Sequence, residues 1–202
     1  MSENTLKDLL GVLASKMEDG SVAYVKRRVE PGRGIASKMP QAAQSDREVQ
    51  LPVVMGVVDG INYKVELIPY PDGGYVVDIG ALSGSPFKLE LFLEDYDVKS
   101  LKFKGTSFGF LPVEEIETGI PEFDDKYFVE AMNLETVNIF LQDEETRRSI
   151  TALGKIDKLS VQSRFTKLNY FLEDSGSFDV DWTYDKIKTL SVLMKKLKSI
   201  NE

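Results

Sequence analysis

Apolar and polar residues alternate with a period of two from residue 52 to about residue 104, and this is the clearest pattern in the chain. In "VVMGVVDGINYKVELI", Ile61, Tyr63, Val65 and Leu67 alternate with Asn62, Lys64 and Glu66. Successive side chains of a strand point to opposite faces, so the alternation predicts one wet face and one buried face. Asp59-Gly60 supplies the hairpin turn between the first two strands, because a type I′ turn needs positive φ at both central positions. After "PYPDGG", Tyr75, Val77 and Ile79 alternate with Val76 and Asp78. After "SGSP", Phe87, Leu89, Leu91 and Leu93 alternate with Lys88 and Glu90, and Leu101 and Phe103 between lysines predict one more strand. Together they read as an antiparallel meander.

The buried face of that sheet needs an apolar cover, and helical spacing elsewhere provides it. Residues 5–19 set Leu6, Leu9, Leu10, Leu13 and Met17 on one stripe, with Thr5 and Asp8 as a capping box and Gly20 as the stop. Asn133 is the expected cap of a short helix that turns Leu134, Val137, Phe140 and Leu141 inward. Asp143 is the expected cap of a second, with Ile150 and Leu153 inward and Gly154 after it. Two short strands follow, "KLSVQSR" and "KLNYFLE", and then a closing helix in "DWTYDKIKTLSVLMKKLKSI" that Asp181 is expected to cap. The fold class is α+β: a mostly antiparallel sheet with helices packed on one face. Residues 1–20 form an N-terminal amphipathic helix and residues 21–202 a single α+β domain. Within it 21–29 is a strand, and 30–48, rich in Pro, Gly, Ser, Gln and Ala, is a flexible basic segment. The alternative organisation is a separate helical piece tethered by that segment.

Composition narrows the chemistry more than it suggests any. A chain of 202 residues with 42% hydrophobic content can bury one core without a disulfide or metal staple. It contains no histidine and no cysteine, which excludes Ser-His and Cys-His nucleophile systems, Cys/His zinc sites and thiol redox motifs. The net charge of -8 is uneven: residues 1–49 carry +1, residues 50–145 carry -13 and residues 146–202 carry +4. An acidic middle disfavours a broad nucleic-acid footprint, because such binding neutralises phosphates with Lys and Arg. No run of about 18 apolar residues occurs, so no membrane span is expected. The start "MSENTLKDLLGVLASKM" carries Glu3, Lys7 and Asp8 and does not read as a secretory signal, so the expectation is a soluble cytoplasmic protein.

Three elements between Phe123 and Glu173 carry a resemblance. They are "FDDKYFV", fitting Phe-Asp-x-x-Phe-x-Val with Tyr127 at the second aromatic; the helix "DEETRRSITAL"; and the strand pair "LSVQSRFTKLNYFLED". This quarter of the chain resembles an uncharacterised bacterial family of unknown function. The resemblance implies an α+β domain and carries over no catalytic residue.

Each candidate site has a plainer structural reading beside it. Asp124-Asp125, with Glu122 and the later Asp179, Asp181 and Asp185, is the one carboxylate set that suggests an oxygen-ligand metal site. The structural reading is an Asx-turn releasing the chain into the strand at Tyr127. In "QDEETRR", Asp143 at the cap, Glu144 and Glu145 in the first turn and a Glu144–Arg148 pair use every charge. "SPFK" at Ser85 to Lys88 has the Ser-x-x-Lys spacing but no companion motif. "PGRGIAS" and "GTSFGF" match neither phosphate-binding fingerprint. The lysines and apolar stripe of the last helix fit a membrane-surface segment less well than a lid on the sheet.

Two surfaces remain as partner contacts. One is the basic stretch from Lys26 to Arg47, with Lys26, Arg27, Arg28 and Arg33; the other is the loop "GTSFGFLPV" with Phe108, Phe110 and Leu111. The leading expectation is a non-enzymatic protein-interaction or assembly module with a protein partner or a homo-oligomer, and with no catalytic, metal or cofactor residues. The alternatives are a carboxylate-based metal-dependent enzyme and weak binding of nucleic acid or an acidic partner through the basic segment.

Overall fold

The computed structural model describes residues 3–29, 47–69, 74–82, 85, 87–93, 114–115, 117–132 and 134–200. Along them run α1 (Glu3–Ser15), β1 (Glu18–Val29), β2 (Arg47–Val58), β3 (Ile61–Pro69), β4 (Tyr75–Leu82), β5 (Lys88–Leu93) and β6 (Glu114–Glu115). Then come α2 (Pro121–Asp124), β7 (Tyr127–Met132), α3 (Leu134–Gln142), α4 (Glu144–Ala152), β8 (Lys158–Val161), β9 (Phe165–Leu172), a 3-10 turn (Ser175–Ser177) and α5 (Val180–Ser199). The nine described strands form one sheet in the order β1-β2-β3-β4-β9-β8-β5-β7-β6, and each neighbouring pair is antiparallel. The α+β class with a mostly antiparallel sheet and helices on one face is therefore what forms.

The Asp59-Gly60 turn takes positive φ at both residues, 52° and 75°, and sets the β2–β3 register. Strands β2 to β4 follow the expected meander and β1 adds to its edge, but β5 does not follow β4. The hairpin β8–β9 inserts between them. Length explains the choice, since β9 matches all eight residues of β4, whereas β5 has six. The apolar row Leu168, Tyr170 and Leu172 of β9 thereby continues Val77 and Ile79 of β4.

Other expectations shift at their boundaries. The first helix ends at Ser15, and Gly20 lies inside β1 rather than stopping the helix. Arg47 and Glu48, assigned above to the basic segment, begin β2 and pair with Val29 and Arg28. The last helix is capped by Asp179, whose carboxylate accepts the Trp182 N–H at 3.0 Å, not by Asp181. Starting there buries Val180 and Thr183 against the sheet and leaves Asp181 to pair with Lys16 at 2.8 Å. Leu101, Phe103 and Asn133 lie outside the described residues.

One core joins every long helix to one face of the sheet. Leu10 and Leu13 of α1, Phe140 of α3, Ile150 of α4 and Ile187, Leu190 and Met194 of α5 pack with Val65, Ile79, Leu89, Val129 and Leu168. Each fully buried aliphatic side chain contributes about 1.5–3 kcal/mol. Hydroxyl pairs tie the layers, Tyr63 to Ser191 at 2.8 Å and Tyr170 to Thr183 at 2.7 Å. Burial pushes the Tyr63 hydroxyl up to about 12 and raises that of Tyr170 as well. The Lys186 ammonium is also buried; it donates to the Leu153 carbonyl at the end of α4 and lies 3.6 Å from the Trp182 ring centre. Burial lowers its pKa to about 8.

Gly56 lets the turn after α1 settle on β2. A Cβ there would stand 2.7 Å from Met17 Cβ and 3.2 Å from both Glu18 O and Gly20 Cα, whereas one at Gly80 would meet only Lys64 O at 3.8 Å. Gly56→Ala is therefore expected to cost roughly 1–3 kcal/mol, in the manner of core overpacking. Gly80→Ala should leave stability nearly unchanged, and thermal melts of the two variants check the contrast.

Candidate binding site on the open face of the sheet

The strand registers that send apolar residues toward the helices send charged residues to the opposite face, in two neighbouring rows. In one, Glu66 stands opposite Asp78, Asp78 opposite Asn169, Asn169 opposite Lys158, and Lys158 opposite Phe92. In the next, Met55, Lys64, Gly80, Lys167, Ser160 and Glu90 follow one another across the strands. Opposite charges meet between the rows. Lys64 pairs with Glu66 at 3.1 Å, Lys167 with Asp78 at 2.8 Å and Lys158 with Glu90 at 2.8 Å. The Ser160 hydroxyl donates to Glu90 at 3.3 Å.

In these pairs the acid is at the floor and the ammonium at the rim. Glu66, Asp78 and Glu90 are 3%, 7% and 2% exposed, while the side chains of Lys64, Lys167 and Lys158 keep 46%, 38% and 28% of their surface. The lysine stems lie along the sheet and the charged heads reach water. Lys158 and Lys167 also stand 5.1 Å and 5.6 Å from the ring centres of Phe92 and Phe165.

Over the first two pairs lies a cavity of about 440 Å³. Its walls are apolar at Met55, Leu82 and Phe165 and charged at Lys64, Glu66, Asp78 and Lys167. Leu82 is 72% and Met55 42% exposed. Asp78 gives Oδ2 to Lys167, but its other oxygen, Oδ1, is buried without a hydrogen-bond partner among the described residues. An unsatisfied buried acceptor costs on the order of 1–3 kcal/mol. A second cavity, of about 540 Å³, lies beside Trp182 and Tyr170. Two of its polar groups are already engaged: Asp179 caps α5 and the Tyr170 hydroxyl meets Thr183.

The carboxylates considered for metal chemistry do not converge, and among the described residues no three acidic groups are arranged to hold an ion. Asp124 does form a structural contact, but in the opposite direction from the expected Asx-turn. It ends α2, and its oxygens accept the Thr118 hydroxyl and N–H and the N–H groups of Gly119 and Ile120 at 2.7–3.2 Å. Burial alone would raise its pKa, but those four donors outweigh it and hold the carboxyl below the usual range. Asp143 accepts the Thr146 N–H and hydroxyl, Glu144 pairs with Arg148 at 2.7 Å, and Glu145 pairs with Lys196 at 2.6 Å. Asp185 pairs with Lys188 at 2.6 Å. The Ser85 hydroxyl accepts the Phe87 N–H at 3.3 Å, and Lys88 opens β5.

Lys26, Arg27 and Arg28 belong to β1 and so are part of the sheet. Arg33, Phe108, Phe110 and Leu111 lie outside the described residues. The apolar stripe of α5, Ile187, Leu190, Met194 and Leu197, is fully buried, so that helix serves as the lid. No described helix is long and apolar enough to cross a membrane. The charged rows of the open face were visible in the sequence only as the polar half of an alternation. Joining Asp78 to Lys167 requires the insertion of β9 beside β4.

No family model matches the chain, and no curated protein matches it by sequence. Among solved structures, the mycobacterial trehalose monomycolate transport factor A, TtfA, is similar, with a TM-score of 0.55 and 14% identity over 98% of this chain and 97% of that one. At this identity the likeness is one of fold.

The Asp124 donors favour the charged carboxylate, so its contribution is present above the ordinary carboxylate range and is lost as pH falls through the lowered value. Asp124→Asn should therefore destabilise by roughly 1–3 kcal/mol near pH 7, as for a lost set of charged hydrogen bonds. The gap from the parent should close on acidification toward pH 3. Saturating Mg²⁺ or Mn²⁺ should shift the melting temperature of neither protein; a metal-dependent rise abolished by the substitution would contradict this assignment.

Proposed function

We propose that this chain is a non-catalytic accessory module that binds another protein on the open face of its sheet. The observation that carries the reading is Asp78 Oδ1, a buried acceptor with no partner among the described residues, lining a cavity that has an apolar wall and a rim of lysines. Ion pairs whose ammonium reaches water add little stability. Three of them on adjacent strands therefore fit recognition better than folding. A protein segment supplies what the cavity lacks: an amide or hydroxyl donor for Asp78, an apolar side chain for Met55, Leu82 and Phe165, and carbonyl or carboxylate oxygens for Lys64 and Lys167.

Two further facts support this reading over its rivals. Of the carboxylates that suggested metal chemistry, Asp124, Asp179, Asp181 and Asp185 are taken up by N–H donors, a hydroxyl or ammonium groups. Lys64, Lys158 and Lys167 are each matched by a carboxylate, which leaves little positive field there for phosphates. The fold shared with a transport factor also supports an accessory part in a larger process over turnover at a reactive centre.

Gly80 offers a direct test, because it lies on the cavity floor with room above it. Gly80→Phe should fill the cavity, keep the melting temperature near that of the parent and weaken binding of a partner recovered from the native cell at least ~10-fold, or about 1.4 kcal/mol. Equal binding by a folded Gly80→Phe variant would refute the assignment of the site.

A further inference from the structure

We propose that β1 is a dimerisation edge, which pairs antiparallel with β1 of a second copy of this chain around a two-fold axis at Ala23. The inference stands apart from the open-face cavity. It starts from the two ends of the sheet. β6 closes one end with two residues, while β1 presents twelve at the other. Along β1, Glu18, Ser21 and Lys26 are exposed, Tyr24 is 50% exposed, and Val22, Ala23 and Val25 are only half buried. An end strand of this length offers a row of backbone N–H and C=O groups to another chain.

The occupant is identified by charge. β1 is acidic at its start, with Glu18 and Asp19, and basic at its end, with Lys26, Arg27 and Arg28. Antiparallel pairing with itself lays each acidic end against the basic end of the other copy. Parity selects the register. Side chains alternate between faces, so the helices of both copies share one side only when paired residue numbers sum to an even value. Centring on Ala23 places Val22 opposite Tyr24 and Ser21 opposite Val25, and beyond them the bulge, where Asp19 takes φ 51°, shifts the register by one so that Glu18 comes opposite Arg27 with Asp19 beside Lys26. Moving the centre to Val22 sets the acidic end beside Tyr24 and Val25, short of the basic residues, and moving it to Tyr24 carries Glu18 past Arg28 to Val29. The bulge between Glu18 and Ser21 lies outside the central run Ser21–Val25 and adds twist at the acidic ends. Edge lysines usually keep strands apart, but here the cations sit at one end and the anions at the other, so self-pairing is attractive and a parallel approach is not.

Light scattering of the full chain should give twice the monomer mass. Glu18→Arg with Asp19→Arg should weaken the dimer at least ~10-fold, about 1.4 kcal/mol, and adding Arg27→Glu with Arg28→Glu in the same chain should restore it. Because the chain has no cysteine, Ala23→Cys gives a clean geometric readout. Directly opposed residues have Cα atoms about 4.5–5.5 Å apart, within the disulfide range, so mild oxidation should link two copies, and Ser15→Cys on α1 should not. A monomer at all concentrations would overturn the proposal. So would a dimer indifferent to the reversals, or one in which Ala23→Cys does not cross-link. None of these outcomes bears on Gly80→Phe, so the two readings can fail separately.

Discussion

The structure depends on α5 lying across the apolar face of a long antiparallel sheet. Strands built on a two-residue period leave one face that cannot stay in water, and the stripe Ile187, Leu190, Met194 and Leu197 covers it with no residual exposure. Placement is fixed by polar groups as well as by apolar area. Tyr63 with Ser191 and Tyr170 with Thr183 join helix to sheet at two points, and Lys186 joins it to the end of α4. Leaving any of these buried groups without its partner costs more than the bond itself contributes, so they discriminate among ways of docking the helix.

The same alternation produces the opposite surface. Once apolar positions are committed to the helix side, charged positions of β3, β4, β9, β8 and β5 must gather on the other, and their antiparallel registers interleave acids with lysines. Self-neutralisation follows, with acids at the floor and amines at the rim. Such a face is too polar to serve as a second core and too balanced to attract polyanions, and it leaves Asp78 Oδ1 in its cavity without a hydrogen-bond partner among the described residues. The surface proposed for recognition is in this sense a by-product of how the core is made.

Much of the fold was legible because local signals agreed with global need. The Asp59-Gly60 turn, the Asp143 cap and the inward stripes of α3, α4 and α5 are each set within a few residues. What was not legible depends on distant residues. Nothing local says that β9 displaces β5 as the neighbour of β4, and so nothing local brings Asp78 to Lys167. Asp179 and Asp181 are equally good caps by composition, and burial of Val180 and Thr183 decides between them. Lys26, Arg27 and Arg28 look like a charged arm until Val49, Glu48 and Gln50 pair with them.

The central claim is that the open face is covered by another protein when the chain is at work. Amine footprinting in intact cells and on the purified protein tests it most directly, with an acylating reagent and mass spectrometry of each lysine. Lys64 and Lys167 should label readily on the purified chain and be protected in cells, relative to exposed Lys188 on α5, while buried Lys186 should resist in both. Equal labelling of Lys64 and Lys167 in both settings would mean that the face stays bare, and the account would be wrong.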